Sequence, residues 1–220
     1  MERQPEPEYM DLEVEAAAYA AADFGEVNAA FVERLLEVAG TVARAVAIDL
    51  GTGPGDIPLR VAARRSGWRI LAMDASWAML RRAEQARNAL AVGQGVRFVH
   101  ADAKRLPVAA GCCDVVFSNS ILHHITETAP FWSEVKRVAR PGARVLLRDL
   151  ARPADAAQAR HIVETYAAGE STLLKEEYYR SLLSAYTFEE VRAQLDRAGL
   201  ASLQVVRVTD RHLDVLGCVG

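Results

Sequence analysis

The stretch Asp49-Leu50-Gly51-Thr52-Gly53-Pro54-Gly55 organises the reading of this chain. It follows Ala45-Val46-Ala47-Ile48, an apolar run that reads as a short buried strand. It precedes residues 56–66, which read as a helix with Pro58 tolerated in the first turn. Glycines between a strand and a helix let the chain turn sharply and let a ligand approach the backbone. On its own such a turn fits any of several nucleotide-like cofactors.

Outward from this loop the pattern repeats. Arg69-Ile70-Leu71-Ala72-Met73 is a second strand ending at Asp74, and a helix follows with Ser76 as N-cap and Met79, Ala83, Ala86 and Leu90 as its buried stripe. Val96-Arg97-Phe98-Val99 is a third strand ending near Asp102, and Cys113-Asp114-Val115-Val116-Phe117 a fourth. Phe131, Val135 and Val138 mark a helix closed by Pro141-Gly142, and Ala143 to Leu147 is a fifth strand. Residues 154–183 read as mostly helical, and Thr187-Phe188-Glu189-Glu190 is a capping box. Leu203 to Val208 and His212 to Gly217 are two last strands with the spacing of a hairpin.

This alternation predicts an α/β fold. The expected sheet is Rossmann-like, doubly wound, seven-stranded and mostly parallel, with a C-terminal antiparallel hairpin. Before it, Ala16 to Ala22 and the face Phe31, Leu35, Val38 predict N-terminal helices ending at Gly40. The expected organisation is therefore a helical lid over residues 1–40 and a main unit over 41–220, within one globular domain. Ligands of such sheets bind beyond the carboxyl ends of the strands, where strand order reverses, so the residues after each strand carry the information.

Composition narrows the classes. The 220 residues are 51% apolar and 25% charged, with a net charge of −3 and no basic block that suggests a nucleic-acid groove. No apolar run approaches the roughly 20 residues of a membrane helix, and the polar start Met1 to Glu8 does not read as a signal peptide. A cytoplasmic location is expected. The cysteines 112, 113 and 218 lack C-x-x-C spacing, and no metal site is expected.

Three details narrow the cofactor. A dinucleotide fingerprint starting at Gly51 needs glycine or alanine at 56, where this chain has Asp56, a carboxylate expected to cap the helix and hold the place of a pyrophosphate. Asp49 sets a negative charge just before the loop, which disfavours phosphates and suits S-adenosylmethionine, a cation-bearing nucleoside without phosphate. No P-loop motif occurs. Asp74 can accept both ribose hydroxyls, and Asp102, with the N–H of Ala103, can read the adenine edge.

Asp49 to Gly55, Asp74-Ala75-Ser76 with Met79-Leu80, Asp102-Ala103, Phe117-Ser118-Asn119-Ser120 and Val135 to Gly142 together resemble the successive motifs of class I S-adenosylmethionine-dependent methyltransferases. The resemblance is to the small-molecule branch that includes the ubiquinone/menaquinone enzymes, and it covers roughly residues 45–150. It implies that Asp49, Gly51 and Gly53 hold the methionine part, Asp74 the ribose, and Asp102 and Ala103 the adenine, with Ala75 packing on the ring. Backbone groups at Ser118 and Asn119 would meet the ammonium. The product would be S-adenosylhomocysteine. His123-His124 follows where the quinone enzymes have a non-histidine sequence, which speaks against a quinone acceptor.

Methyl transfer from a sulfonium is an in-line displacement that needs alignment more than acid–base groups. His123 and His124, one of the two facing the site, are candidates to act as base or to orient an acceptor. Tyr19, near Asp23 and Phe24, is a candidate to cover the methionine end. Arg148, at the end of strand five, and Tyr178, Tyr179 and Arg180 are candidates to bind the acceptor. The expected partners are a small-molecule methyl acceptor and a second copy of the chain in a homodimer. An NAD-type oxidoreductase on the same fold and a cofactor-binding protein that does not methylate are the alternatives.

Overall fold

The computed structural model describes residues 1–7, 13, 17, 19, 24–90 and 93–220. Among these, the chain runs through α1 (Gly25–Ala39), β1 (Ala45–Leu50), α2 (Asp56–Arg64), β2 (Trp68–Asp74), α3 (Trp77–Leu90), β3 (Val96–His100) and β4 (Cys113–Asn119). A one-turn 3-10 helix (Leu122–His124) leads to α4 (Thr128–Val138), β5 (Ala139–Leu150), α5 (Ala156–Tyr166), α6 (Thr172–Ser184), α7 (Phe188–Arg197), β6 (Gln204–Arg207) and β7 (His212–Cys218).

The seven strands form one sheet in the order β3-β2-β1-β4-β5-β7-β6. Strands β1 to β5 pair in parallel, β7 lies antiparallel on β5, and β6 pairs antiparallel with β7. The order reverses between β1 and β4, so the loops after these two strands diverge and open a crevice at their carboxyl ends. The period-2 alternation of β1 sorts its side chains between two cores. Ile48 and Leu50 join a core with Phe131, Trp132 and Val135 of α4 and Val191 and Leu195 of α7. Ala45 and Ala47 join the opposite core with Phe31 and Leu35 of α1 and Leu59 of α2.

The local signals operate as expected at several points. The Ser76 hydroxyl accepts from Met79 N–H at 3.2 Å at the start of α3. At α7 the Thr187 hydroxyl accepts from Glu190 N–H and the Glu190 carboxylate from Thr187 N–H, a complete capping box. The end of α4 and the burial of Leu90 are corrected. Helix α4 stops at Val138 rather than at Pro141-Gly142, because Ala139 already pairs with Cys113 and a register shift then admits the extra residues into a long β5. The stretch 154–183 is mostly helical as expected, in two helices, the second started by Ser171, whose side chain accepts from Leu174 N–H. Leu90 is 59% exposed, since the last turn of α3 overhangs the sheet. Phe31 and Leu35 of α1 are fully buried in the core on one face of the sheet. The expected helix Ala16–Ala22 falls outside the described residues except for Ala17 and Tyr19, both helical.

Candidate functional site

The glycine loop is built for backbone approach. Gly51 and Gly53 both have left-handed backbones, with φ of 69° and 56°. A Cβ on Gly51 would meet Ile121 Cδ1 at 2.8 Å, whereas one on Gly53 would project into open space. Gly51 N–H and Thr52 N–H donate to Met73 O at the end of β2. Gly53 N–H donates to Asp74 Oδ2 at 2.8 Å, and Ser76 N–H donates to Asp74 Oδ1 at 2.8 Å. Each oxygen of Asp74 thus keeps accepting capacity toward the crevice.

Asp49 is the exceptional group. It is 2% exposed, and its Oδ2, like Thr52 Oγ1, makes no hydrogen bond among the described residues. Burial pushes its carboxyl up to about 7, with Asp74 adding to the rise and Thr52 only partly opposing it. A buried carboxylate oxygen without a donor is costly unless a ligand completes it.

A cavity of about 1270 Å³ lies over this loop, lined by Asp49, Gly51, Gly53, Asp74, Ala75, Asp102, Ala103 and Asn119, with Tyr19, His123, His124 and Tyr178 further along. Its volume exceeds the ~300–1,000 Å³ of a typical small-ligand site and leaves room for a second reactant. The Ala75 carbonyl is within 2.8 Å of His100 Nε2, whose ring stacks on Trp77 at 4.4 Å. Asp102 accepts from Lys104 N–H and pairs with Lys104 Nζ at 3.2 Å. Asn119 ends β4, and Ser120 beside it has φ of 65°, which sets it apart from the other described non-glycine residues. Such a conformation persists where the surroundings over-determine it, and Ser120 lines the cavity.

Both histidines line the cavity, not one of them. His123 is buried and its Nδ1 lies 2.6 Å from Asp149 Oδ1. Leu122 N–H donates to Asp149 Oδ2 and Leu150 N–H to Oδ1, so Asp149 is locked by the backbone on either side. Burial opposes charge on this pair, but mutual attraction prevails and holds Asp149 below, and His123 above, their ordinary values. Burial, then the neighbouring His123, pushes His124 down to about 3, so it is neutral. Burial also pushes the phenols of Tyr19 and Tyr178 up to about 12, which leaves both as O–H donors at neutral pH. Asp23 lies outside the described residues.

Other expected positions fall elsewhere. Arg148 is buried and forks onto Asp214 at 2.7 and 2.9 Å, joining β5 to β7 away from the cavity lining. Tyr179 packs under Arg160, and Arg180 is exposed beside Glu176 and Glu177. None of these three acceptor-binding candidates lines the cavity, and their side chains pack or form ion pairs instead. Ser118 is fully buried, its hydroxyl donating to Leu50 O at 2.6 Å, and it too lies behind the lining. Asp56 does not cap α2: Gly55 is the N-cap, and the Asp56 carboxylate takes Arg60 at 2.7 Å and Asn28 at 2.9 Å.

Sequence reasoning missed Ser120, Ile121, His212 and Glu6. The first three line the cavity. Glu6 backs the histidines, its Oε1 3.4 Å from His123 Nε2 and 3.2 Å from His124 Nδ1.

Residues 48–147 match a family model described as a methyltransferase domain. The matched segment begins within β1 and ends within β5, so it contains the glycine loop and each strand end that contributes to the crevice. The chain is 32% identical over 131 residues to a malonyl-[acyl-carrier protein] O-methyltransferase of Marinomonas sp., covering 60% of this chain and 46% of that one. It is 35% identical over 106 residues to a demethylmenaquinone methyltransferase of Clavibacter sepedonicus, covering 48% and 41%. It thus spans less than half the length of these curated relatives. The fold of a SAM-dependent methyltransferase from Aquifex aeolicus superposes with a TM-score of 0.69 at 20% identity, covering 93% of this chain and 98% of that one. No helix among the described residues is long and apolar enough to cross a membrane.

Proposed function

We propose that this protein transfers a methyl group from S-adenosylmethionine to a small-molecule acceptor held in the same cavity. The observation that carries the reading is the buried, partnerless Asp49 oxygen beside the glycine loop. A cationic, phosphate-free nucleoside supplies the charge this oxygen lacks, whereas a dinucleotide would set phosphates beside Asp49 and Asp74. Asp49 and the loop backbone at Gly51 and Gly53 hold the methionine part, with backbone groups of Asn119 and Ser118 beside them. Asp74 accepts from the ribose, and Ala75, Asp102 and Ala103 receive the adenine.

When bound, S-adenosylmethionine supplies an electrophilic methyl on a sulfonium. The protein aligns the acceptor with it and excludes water. Tyr19 and Tyr178 offer hydroxyl donors, and His123 and His124 form the polar pole of the acceptor compartment. Locking His123 through Asp149 keeps its ring in one orientation. The net charge of −3 and the acidic crevice favour a small acceptor over a nucleic acid, in the cytoplasm. A homodimer is part of this proposal.

The test is calorimetry and thermal shift with S-adenosylmethionine, S-adenosylhomocysteine and NADH, followed by transfer of labelled methyl to extracted metabolites. Binding of the first two but not the third, with label in a small-molecule fraction, is expected. Binding without transfer to any fraction would refute the methylation step, and a response to NADH alone would refute the cofactor.

A further inference from the structure

Glu6, His123 and His124 bring one carboxylate oxygen and two imidazole nitrogens within 4.8 Å of one another, behind the acceptor side of the cavity. The separations are those of a coordination shell. Ligands about 2.0–2.1 Å from a tetrahedral ion stand roughly 3.3 Å apart. Here Glu6 Oε1 lies 3.4 Å from His123 Nε2 and 3.2 Å from His124 Nδ1.

The surroundings prepare these groups for a cation. His123 Nδ1 lies 2.6 Å from Asp149 Oδ1, which turns the other ring nitrogen, Nε2, toward Glu6 Oε1 at 3.4 Å. The arrangement of carboxylate, imidazole and open nitrogen is the outer-shell pattern that orients metal-binding histidines. Glu6 is itself oriented, since Ser181 Oγ donates to it at 3.2 Å and its own N–H donates to Ser184 Oγ. Arg3 anchors this segment through Ser184 O and His123 O at 2.6 and 2.8 Å, and Gln4 N–H donates to Leu183 O.

We infer that Glu6, His123 and His124 form a binding site for a divalent first-row transition metal, with Asp149 and Ser181 as its outer shell. Two nitrogens and one carboxylate suit Zn2+, Co2+, Fe2+ or Ni2+ rather than Mg2+ or Ca2+. The metal fastens the N-terminal segment to the 3-10 turn at the acceptor end of the cavity. Metal binding itself stands apart from the proposed methyl transfer. Its bearing on the acceptor rests on that proposal.

The experiment strips the full chain with chelator, adds Co2+ and follows the visible absorption of the bound ion, with Zn2+ stoichiometry measured by elemental analysis after dialysis. One equivalent per chain is expected, with affinity at least tenfold lower in both Glu6→Gln and His124→Gln. S-adenosylhomocysteine binding to each variant reports an intact fold and tests the cofactor reading separately. Absence of uptake, or uptake equal in wild type and both variants, overturns the inference. Loss in one variant that no longer folds leaves the other to decide.

Discussion

Asp49→Asn separates what the cofactor site needs from what the fold prefers. The carboxyl titrates near 7 in the folded chain against an ordinary 3.8, because burial disfavours its charge. The folded state therefore holds more protons than the unfolded state between about pH 4 and pH 7, and stability falls as pH rises through that window. The gap corresponds to roughly 4 kcal/mol, fully expressed above pH 7. Asparagine removes the ionisation but leaves a buried amide in want of partners, which costs about 1–3 kcal/mol. At pH 8 the cofactor-free variant should thus be more stable than wild type by roughly 1–3 kcal/mol, a rise in Tm on the order of 5 °C for a chain of this size. At pH 5, where wild-type Asp49 is mostly protonated, the advantage should disappear.

Ligand affinity should move the other way. Removing one partner of a buried charge pair costs at least about 2 kcal/mol, so S-adenosylhomocysteine should bind the variant roughly 30-fold more weakly at pH 8. Wild-type affinity should fall up to about tenfold per pH unit below 7 as Asp49 protonates, and the variant should lack this dependence. Differential scanning calorimetry and isothermal titration across pH 5–8 read both effects. A variant less stable than wild type at pH 8, or one that binds the ligand within threefold of wild type, would refute the reasoning.

Other perturbations probe separate parts of the molecule. Arg148→Met should cost about 3–5 kcal/mol by stranding Asp214, yet leave S-adenosylhomocysteine affinity within twofold, and Arg148→Met/Asp214→Leu should recover most of the stability in urea melts. Asp74→Ala should lower ligand affinity at least about tenfold by calorimetry, since it deletes the ribose acceptor and frees the N–H of Gly53 that holds the loop. Thr187→Ala should lose about 1 kcal/mol in chemical denaturation through the capping box of α7, with ligand binding unchanged.

The parts of the molecule that could be read from sequence are those whose determinants are local. The apolar runs before Asp49, Asp74 and Asp102 announce strands, and the glycines after β1 announce a tight turn whatever lies around them. A parallel sheet puts its strand ends at the same rim, so finding the strands finds the cavity-lining residues that follow them one by one. The errors arose where a distant partner decides. Arg148 reads as a free cation after a strand, but its partner Asp214 is 66 residues away and becomes its neighbour only through the antiparallel register of β5 and β7. Likewise the start of β5 at Ala139 follows from pairing with Cys113 rather than from the Pro-Gly signal.

The same distinction explains why the two halves of the cavity differ in legibility. The cofactor half draws on successive strand ends of one sheet, and its charges are set by residues that follow those strands. The acceptor half draws together the first residues of the chain, the 3-10 turn, the end of β5 and α6, none of them neighbours in sequence. His123 has a meaning only once Asp149 is on one nitrogen and Glu6 on the other, 26 and 117 residues away. An adjacent histidine pair can be seen in a sequence, but which nitrogen carries the proton and what faces the other is a property of packing. Acceptor chemistry is therefore the part of such a protein that a shared sheet leaves free to change. A reading of the acceptor has to start from the contacts of the flanks, not from the motifs of the core.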